Sequence, residues 1–286
     1  LQQIYTEVSE LRFVVPALEL MFKDLSSLNT CSDDQNKSFL KLNNEITLKG
    51  INYNYPNTDK IALKNIELSI PAKSTVGFVG ATGSGKTTTI DIILGLLEAQ
   101  EGTLRVDGKV IDKTNRKAWQ RSIGYVPQQI YLADDTIEAN IAFGIKNPNE
   151  INYKAVEKAS KMANLHNFIS SELPEKYKTK VGERGVRLSG GQRQRIGIAR
   201  ALYFEPQVLV FDEATSALDN LTEQAVMEAV NNLERDVTII MIAHRLSTVK
   251  ECDIIFYLEN GKLVSQGTFQ ELIVNNNNFR ATAGNI

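Results

Sequence analysis

Eight consecutive residues, Gly80-Ala81-Thr82-Gly83-Ser84-Gly85-Lys86-Thr87, constrain this chain more than any other stretch. They follow the apolar run Val76–Val79 and precede the helical run TTIDIILGLL. The pattern G-x-x-x-x-G-K-[ST] therefore stands in the strand–loop–helix setting that its chemistry requires. Its glycines let successive backbone N–H groups turn inward on an anion, and the helix N-terminus adds partial positive charge. Lys86 is spaced to reach β- and γ-phosphates, and the Thr87 hydroxyl to ligate Mg²⁺. An ordinary glycine-rich turn is the other reading, and the flanking strand and helix argue against it.

Such a loop needs a sheet to hold it, and apolar runs suited to buried strands supply one. Thr75–Val79, Ile123–Val126, Val208–Phe211 and Thr238–Ile242 alternate with helical stretches, which predicts an α/β core, a sheet covered by helices. Between about residues 130 and 200 the strand signal vanishes, and Tyr153–Asn164 and Gly191–Tyr203 predict a helical insertion. Ahead of the core, Ile46, Leu48, Ile51 and Tyr53 resemble a first strand, and the polar run from Asn29 to about Lys41 a linker, which places a boundary near residue 44. Residues 1–29 carry Leu11, Val14, Val15, Leu18, Met21 and Phe22 at helical spacing, with Pro16 expected to kink or interrupt the helix. Near the end, DIIFYLENGKLVSQG predicts a hairpin turning at Asn260-Gly261, and Asn275–Asn278 a polar loop. No internal repeat is evident.

Composition removes several alternatives. The 286 residues, 42% apolar and 23% charged, suffice for one large or two small domains with a buried core. The 32 Lys+Arg against 34 Asp+Glu leave a net charge of −2, which fits neither a disordered chain nor a polycation that coats nucleic acid. Cys31 and Cys252 are far apart with no C-x-x-C spacing, against a disulfide framework or zinc site and in favour of a reducing compartment. No run approaches the roughly 20 apolar residues of a membrane-crossing helix. The chain opens on Leu1 without a signal-peptide pattern, which predicts a fragment of a longer protein.

Two further motifs carry chemistry. Val208–Phe211 is a buried-type strand that ends in Asp212-Glu213, an expensive arrangement unless the acids meet a cation or water. Asp212 would complete the Mg²⁺ site begun by Thr87, and Glu213 could polarise an attacking water as general base. Alone, the pair also reads as a solvated strand end. Leu188-Ser189-Gly190-Gly191-Gln192 continues as RQRIGIARAL, so Ser189 and two glycines open a helix and form a second anion-binding N-terminus. Two phosphate-binding ends on one chain invite a dimer.

With LSGGQ beside the phosphate loop, the chain resembles the ATP-binding cassette (ABC) ATPases from residue 44 onward. The resemblance implies a P-loop NTPase (RecA-like) α/β core with an antiparallel β subdomain and an inserted α-helical subdomain at about 130–200. It also implies ATP and Mg²⁺ as cofactors, ATP hydrolysis, and a second cassette packed head to tail as a homodimer. In that dimer Ser189, Gly190, Gly191 and Gln192 of one subunit cap the nucleotide held by Gly80, Ala81, Thr82, Gly83, Ser84, Gly85, Lys86, Thr87 and Thr88 of the other. Tyr55, in YNYP, is implied to stack on adenine, where a tyrosine at a strand end would otherwise be core packing. Gln128, in YVPQQ, is implied to touch Mg²⁺ and to relay changes to a transmembrane partner; Asp219, in SALD, to cross the dimer interface; and His244, in MIAHRLSTV, to contact the γ-phosphate. The implied catalytic set is thus Glu213, His244 and Gln128, and the metal set Thr87, Gln128 and Asp212. His166 matches no motif. No catalytic position is substituted, which disfavours a cassette that binds ATP but barely hydrolyses it.

VGERG (Val181–Gly185), DEATSALD and IAHRLSTV resemble the exporter branch of the family. That branch implies a transmembrane domain fused upstream of Leu1, with residues 1–43 the end of its last helix plus a linker and 44–286 the ATP-binding domain. The location is then the cytoplasmic face of a membrane, the inner membrane if the source is bacterial. RFVVPALELMFKDL resembles the same junction in transporters that flip lipid-linked saccharides. The rival reading is a soluble ABC ATPase acting on DNA or ribosomes, which usually carries a coiled-coil insertion or tandem cassettes. Between Thr87 and Leu188 there are no sustained heptads, each motif occurs once, and no nucleic-acid partner is expected. A P-loop kinase acting on a small molecule is a second rival, against which LSGGQ argues. Lipid, glycan, peptide and drug all remain open as cargo.

Overall fold

The computed structural model describes residues 2–27, 38–56, 58, 61–212, 236–243 and 246–283. It divides into two units, Leu1–Ser38 and Phe39–Ile286. The first contains helix α1 (Gln2–Ser27), which runs through Pro16 rather than stopping at it. Pro16 removes one backbone donor, and the remaining turns carry the helix past it. Val14, Val15, Leu18, Met21 and Phe22 are exposed on α1. Among the described residues, no helix is long and apolar enough to cross a membrane.

The second unit is built on two sheets. An antiparallel sheet has the order β2-β1-β4-β5, from β1 (Glu45–Asn54), β2 (Ile61–Pro71), β4 (Glu101–Val106) and β5 (Lys109–Val110). The other has the order β10-β9-β3-β8-β7-β6, from β3 (Thr75–Val79), β6 (Ile123–Val126), β7 (Val208–Asp212), β8 (Thr238–Ile242), β9 (Ile254–Glu259) and β10 (Lys262–Gly267). All its pairings are parallel except β9 with β10, which forms the hairpin expected at Asn260-Gly261. With α2 (Lys86–Ile93) following β3, this is the P-loop NTPase fold with its antiparallel β addition.

Both faces of the parallel sheet are covered, which is why its strands are almost continuously apolar. Val208, Val210, Ile240, Ile242, Val76 and Phe78 pack with α2 and the antiparallel sheet. Leu209, Phe211, Ile239 and Met241 pack with the helices of the opposite face. In β1 the buried residues change parity, from Ile46 and Leu48 to Ile51 and Tyr53. A register shift between Leu48 and Ile51, where Gly50 has φ +62°, inserts the extra residue that causes the change.

The far end of α2 is closed by α3 (Arg116–Gln120). Trp119, fully buried, donates its Nε1–H to the Ile93 carbonyl at 2.7 Å, and Gln120 Nε2 donates to Gly95 O at 3.1 Å. These bonds satisfy carbonyls that a helix C-terminus leaves without intrahelical partners. Beyond β6 come α4 (Ile137–Ile141), α5 (Tyr153–Met162), α6 (His166–Glu172) and α7 (Gly190–Leu202). From residue 127 to 207 the sole β pairing is an isolated bridge between Thr136 and Lys180. After β10, α8 (Phe269–Asn275) and α9 (Asn277–Ala283) meet at Asn276, so Asn275–Asn278 is a helix–helix junction rather than the expected loop. Its composition misleads because Asn276 serves as a cap: its Oδ1 accepts from Phe279 N at 2.9 Å, and its Nδ2 donates to Ser265 Oγ at 2.8 Å.

Several side chains hold the entry into this unit, Gln207 at Leu42 N and Ser122 at Leu40 O among them, and Asp107 makes the most bonds. Asp107, in the β4–β5 turn, accepts backbone N–H bonds from Asn43, Asn44 and Glu45 at 2.8–3.0 Å and a fourth from Asn43 Nδ2 at 3.2 Å. Burial alone would raise its pKa; the four donors outweigh that and hold the carboxyl below its ordinary value. Its contribution is therefore present above the ordinary aspartate pKa, about 3.9, and lost as pH falls through the lower folded value. Asp107→Ala is expected to cost about 1–2 kcal/mol at pH 7 in urea unfolding, with the difference fading below about pH 4. A deficit that persisted unchanged in acid would contradict the ionic origin of the clamp.

Candidate functional site

The loop from Gly80 to Gly85 joins β3 to α2 and is shaped by close backbone contacts. Gly80 has φ +147°, and a Cβ there would lie 2.1 Å from the Leu258 carbonyl oxygen. Gly85, at φ +104°, is the N-cap of α2, and a Cβ there would lie 2.7 Å from Leu63 Cδ2 and 3.1 Å from Ala62 O. From behind, Gly261 N donates to Ser84 O at 3.0 Å while Lys64 N donates to Gly261 O at 2.7 Å. The C-terminal hairpin and β2 thus brace the loop.

Three features of the cradle fit an anion of phosphate type. No side chain of the N-cap residue caps the first turn of α2, and a helix N-terminus directs its N–H groups and partial positive charge along the axis. The Ser84 hydroxyl is buried with no hydrogen-bond partner, a costly state that a bound oxygen acceptor would relieve. Lys86, only 5% exposed, directs its ammonium into the loop, where it donates to Gly80 O at 2.7 Å and Ala81 O at 3.1 Å. Tyr55 lies beside this cradle rather than in the core: it is 41% exposed, stands edge-on to Tyr53, and bonds through its hydroxyl to Thr88 Oγ1 at 3.0 Å.

Asp212 sits at the C-terminal end of β7, paired with Ile242 of β8, which in turn pairs with Phe78 of β3. It is thus two strand spacings, about 10 Å, across the same sheet edge from the loop. Tyr125 of β6 donates its hydroxyl to Asp212 Oδ2 at 2.8 Å. Burial, the bond to Asp212 and the charges of Asp212 and Asp91 all push the Tyr125 phenol upward, so it stays protonated. Asp91, on α2, is raised by burial and then by the negative charge of Asp212. Thr87 and Gln128 are exposed, Gln128 in the turn that follows β6. Among the described residues no three His, Cys, Asp or Glu cluster as a metal cage. The all-oxygen set of Thr87 hydroxyl, Gln128 amide and Asp212 carboxylate nonetheless suits Mg²⁺, which takes few protein ligands and fills its shell with phosphate oxygens and water.

The LSGGQ segment is organised separately. Ser189 caps α7, its Oγ accepting from Gln192 N at 3.2 Å while its own N–H donates to Gln192 Oε1 at 2.8 Å. Arg193 Nη1 holds the Leu188 carbonyl at 2.7 Å, and along the turn Gly190 is exposed, Gly191 buried and Gln192 half-buried. Among the described residues these bonds remain within the segment, and none joins it to the phosphate loop. Glu213, Asp219 and His244 lie outside the described residues, as does Cys31. His166 Nδ1 pairs with Tyr177 OH at 2.8 Å, a structural role consistent with its lack of a motif.

Sequence reasoning missed Tyr125, Asp91 and the brace at Gly261. Tyr125 left one local trace, a polar-tipped aromatic in the otherwise apolar run Ile123–Val126; the other two are defined by tertiary contacts that no local pattern encodes.

The family model described as ABC transporter matches residues 63–216. The Heterocyst differentiation ATP-binding protein HepA of a Nostoc species is 36% identical over 281 residues, 96% of this chain and 46% of the relative. The ATP-dependent lipid A-core flippase of Saccharophagus degradans is 42% identical over 228 residues, 80% of this chain and 38% of the relative. A solved bacterial Atm1-family ABC exporter with ATP bound superposes with TM-score 0.83 at 33% identity, covering 96% of this chain and 48% of that one. The chain thus spans less than half the length of these relatives.

Proposed function

The chain belongs to the ABC transporter family, as an exporter-type ATP-binding domain, and from that premise we propose that it hydrolyses ATP to drive transport through a membrane-spanning partner. The observation that carries this reading is the phosphate cradle, with its uncapped α2 N-terminus, buried unpartnered Ser84 hydroxyl and inward Lys86 ammonium. Flippase and exporter relatives favour it over a soluble ABC ATPase acting on DNA or ribosomes.

In this reading Tyr55 holds the adenine, and Gly80 to Thr88 hold the phosphates through backbone N–H groups, Lys86 and the hydroxyls. Thr87, Gln128 and Asp212 would hold Mg²⁺, which supplies charge neutralisation on the phosphates. Glu213 orients and deprotonates the attacking water, and His244 contacts the γ-phosphate. Ser189, Gly190, Gly191 and Gln192 of a second copy, packed head to tail, close the site, with Asp219 at the interface. Binding then makes the dimer, and release of ADP and phosphate breaks it. Residues 1–43 form the end of a last membrane helix and a linker, and the domain works on the cytoplasmic face.

Each charge-assisted hydrogen bond contributes about 1.5–3 kcal/mol, and tenfold in affinity corresponds to about 1.4 kcal/mol. Lys86→Ala is therefore expected to weaken binding of a fluorescent ATP analogue about 10–100-fold in a titration monitored by anisotropy. Wild-type chain that failed to bind the analogue, or a variant that bound it equally well, would remove the basis of the proposal.

A further inference from the structure

We propose that Tyr125 is a positioning residue for Asp212, holding one carboxylate oxygen so that the other is presented to the metal. The inference rests on the reading of Asp212 as a Mg²⁺ ligand.

The geometry begins with register. Tyr125 of β6 pairs with Val210 of β7, and Val210 and Asp212 share parity. Tyr125, Val210 and Asp212 thus point to one face of the sheet, the face on which α2 packs. Two residues along a strand are about 6.6 Å, a distance that a tyrosine leaning along the strand direction spans. Its hydroxyl meets Asp212 Oδ2 at 2.8 Å, a full hydrogen bond.

Packing does not account for the tyrosine. Its neighbours Gly124 and Val126 are buried, whereas Tyr125 is 40% exposed. Gly124 itself has no room for a side chain, since a Cβ would lie 2.7 Å from Ala201 O. The strand is therefore anchored by its other residues, and the phenol's polar end is what Tyr125 contributes.

The choice of donor matters. Asp91 adds a second carboxylate to the surroundings of Asp212 and Tyr125. An unheld Asp212 would rotate away from that charge, scattering the oxygen a metal needs. Lysine or arginine in place of Tyr125 would hold the carboxylate but cancel its charge and compete with the cation. A neutral phenol fixes Oδ2, leaves Oδ1 free of that bond, and preserves the full negative charge. Partners that orient a metal-binding carboxylate typically change metal affinity 10–100-fold when removed.

The test uses the 286-residue chain with Tyr125→Phe, which deletes only the hydroxyl of a partly exposed ring, and measures affinity for a fluorescent, non-hydrolysable ATP analogue in EDTA and in Mg²⁺. Expected is an EDTA affinity within about twofold of wild type and a Mg²⁺-dependent gain reduced about tenfold. Asp212→Asn should abolish the gain, and adding Tyr125→Phe to it should change nothing further. A full Mg²⁺ gain in Tyr125→Phe, or equal losses with and without Mg²⁺, overturns the proposal, as does an additional loss in the double variant. If Asp212→Asn retains the full gain, the metal reading itself fails and the inference falls with it.

Discussion

Glu213→Gln is expected to lower ATP hydrolysis by about two to four orders of magnitude while ATP binding stays within a few-fold of wild type. In sequence the residue follows Asp212 directly, and Asp212 ends β7 at the sheet edge that also carries the phosphate loop. Glutamine preserves the shape and the hydrogen-bonding reach of glutamate but cannot accept a proton from water. Chemistry should therefore fail after binding has succeeded, and ATP should accumulate in a closed dimer visible by light scattering. The contrast with Lys86→Ala is informative, because that substitution removes the ammonium aimed into the cradle and acts on binding first. Single-turnover phosphate release separates the two. Hydrolysis at the wild-type rate in Glu213→Gln would assign the base elsewhere, and loss of ATP affinity in parallel would assign Glu213 to binding.

The largest effect on stability is expected at Trp119, which belongs to no recognised motif. Trp119→Ala should cost about 3–5 kcal/mol, because a fully buried indole leaves a cavity and the Ile93 carbonyl loses its donor. At about 2–4 °C per kcal/mol for a domain of this size, melting should fall by about 10 °C. Trp119→Phe retains most of the apolar volume and should show a clearly smaller drop. Because Ile93 is the last residue of α2, whose first turn forms the phosphate cradle, bound nucleotide should recover part of the loss. A shift below about 3 °C in Trp119→Ala would mean that the surrounding core refills the space.

The strands of the parallel sheet were legible because burial on both faces writes itself as short, predominantly apolar runs. The phosphate loop was legible because its chemistry is local, with every required residue inside one strand–loop–helix turn. Elsewhere, local pattern is ambiguous. The parity change in β1 looks like weakened alternation until the bulge at Gly50 accounts for it. The asparagine run 275–278 has loop composition, yet it caps a helix because Phe279 N and Ser265 Oγ are within reach. Tyr55 has the same local signature whether it packs in a core or flanks a ligand, and only the assembled fold shows it 41% exposed and bonded to Thr88. Tyr125 and Asp91 become neighbours of Asp212 only when β6, β7 and α2 assemble, so their involvement is a property of topology.

The brace behind the phosphate loop bears on the order in which the site is made. The eight motif residues come well before the surfaces that shape them, which include Leu258 and Gly261 of the last hairpin. A nascent chain that stops short of the last hairpin carries the whole motif and none of that backing. Competence to hold a phosphate is thus gated by arrival of that hairpin, and a product truncated before it would present the right letters without the socket.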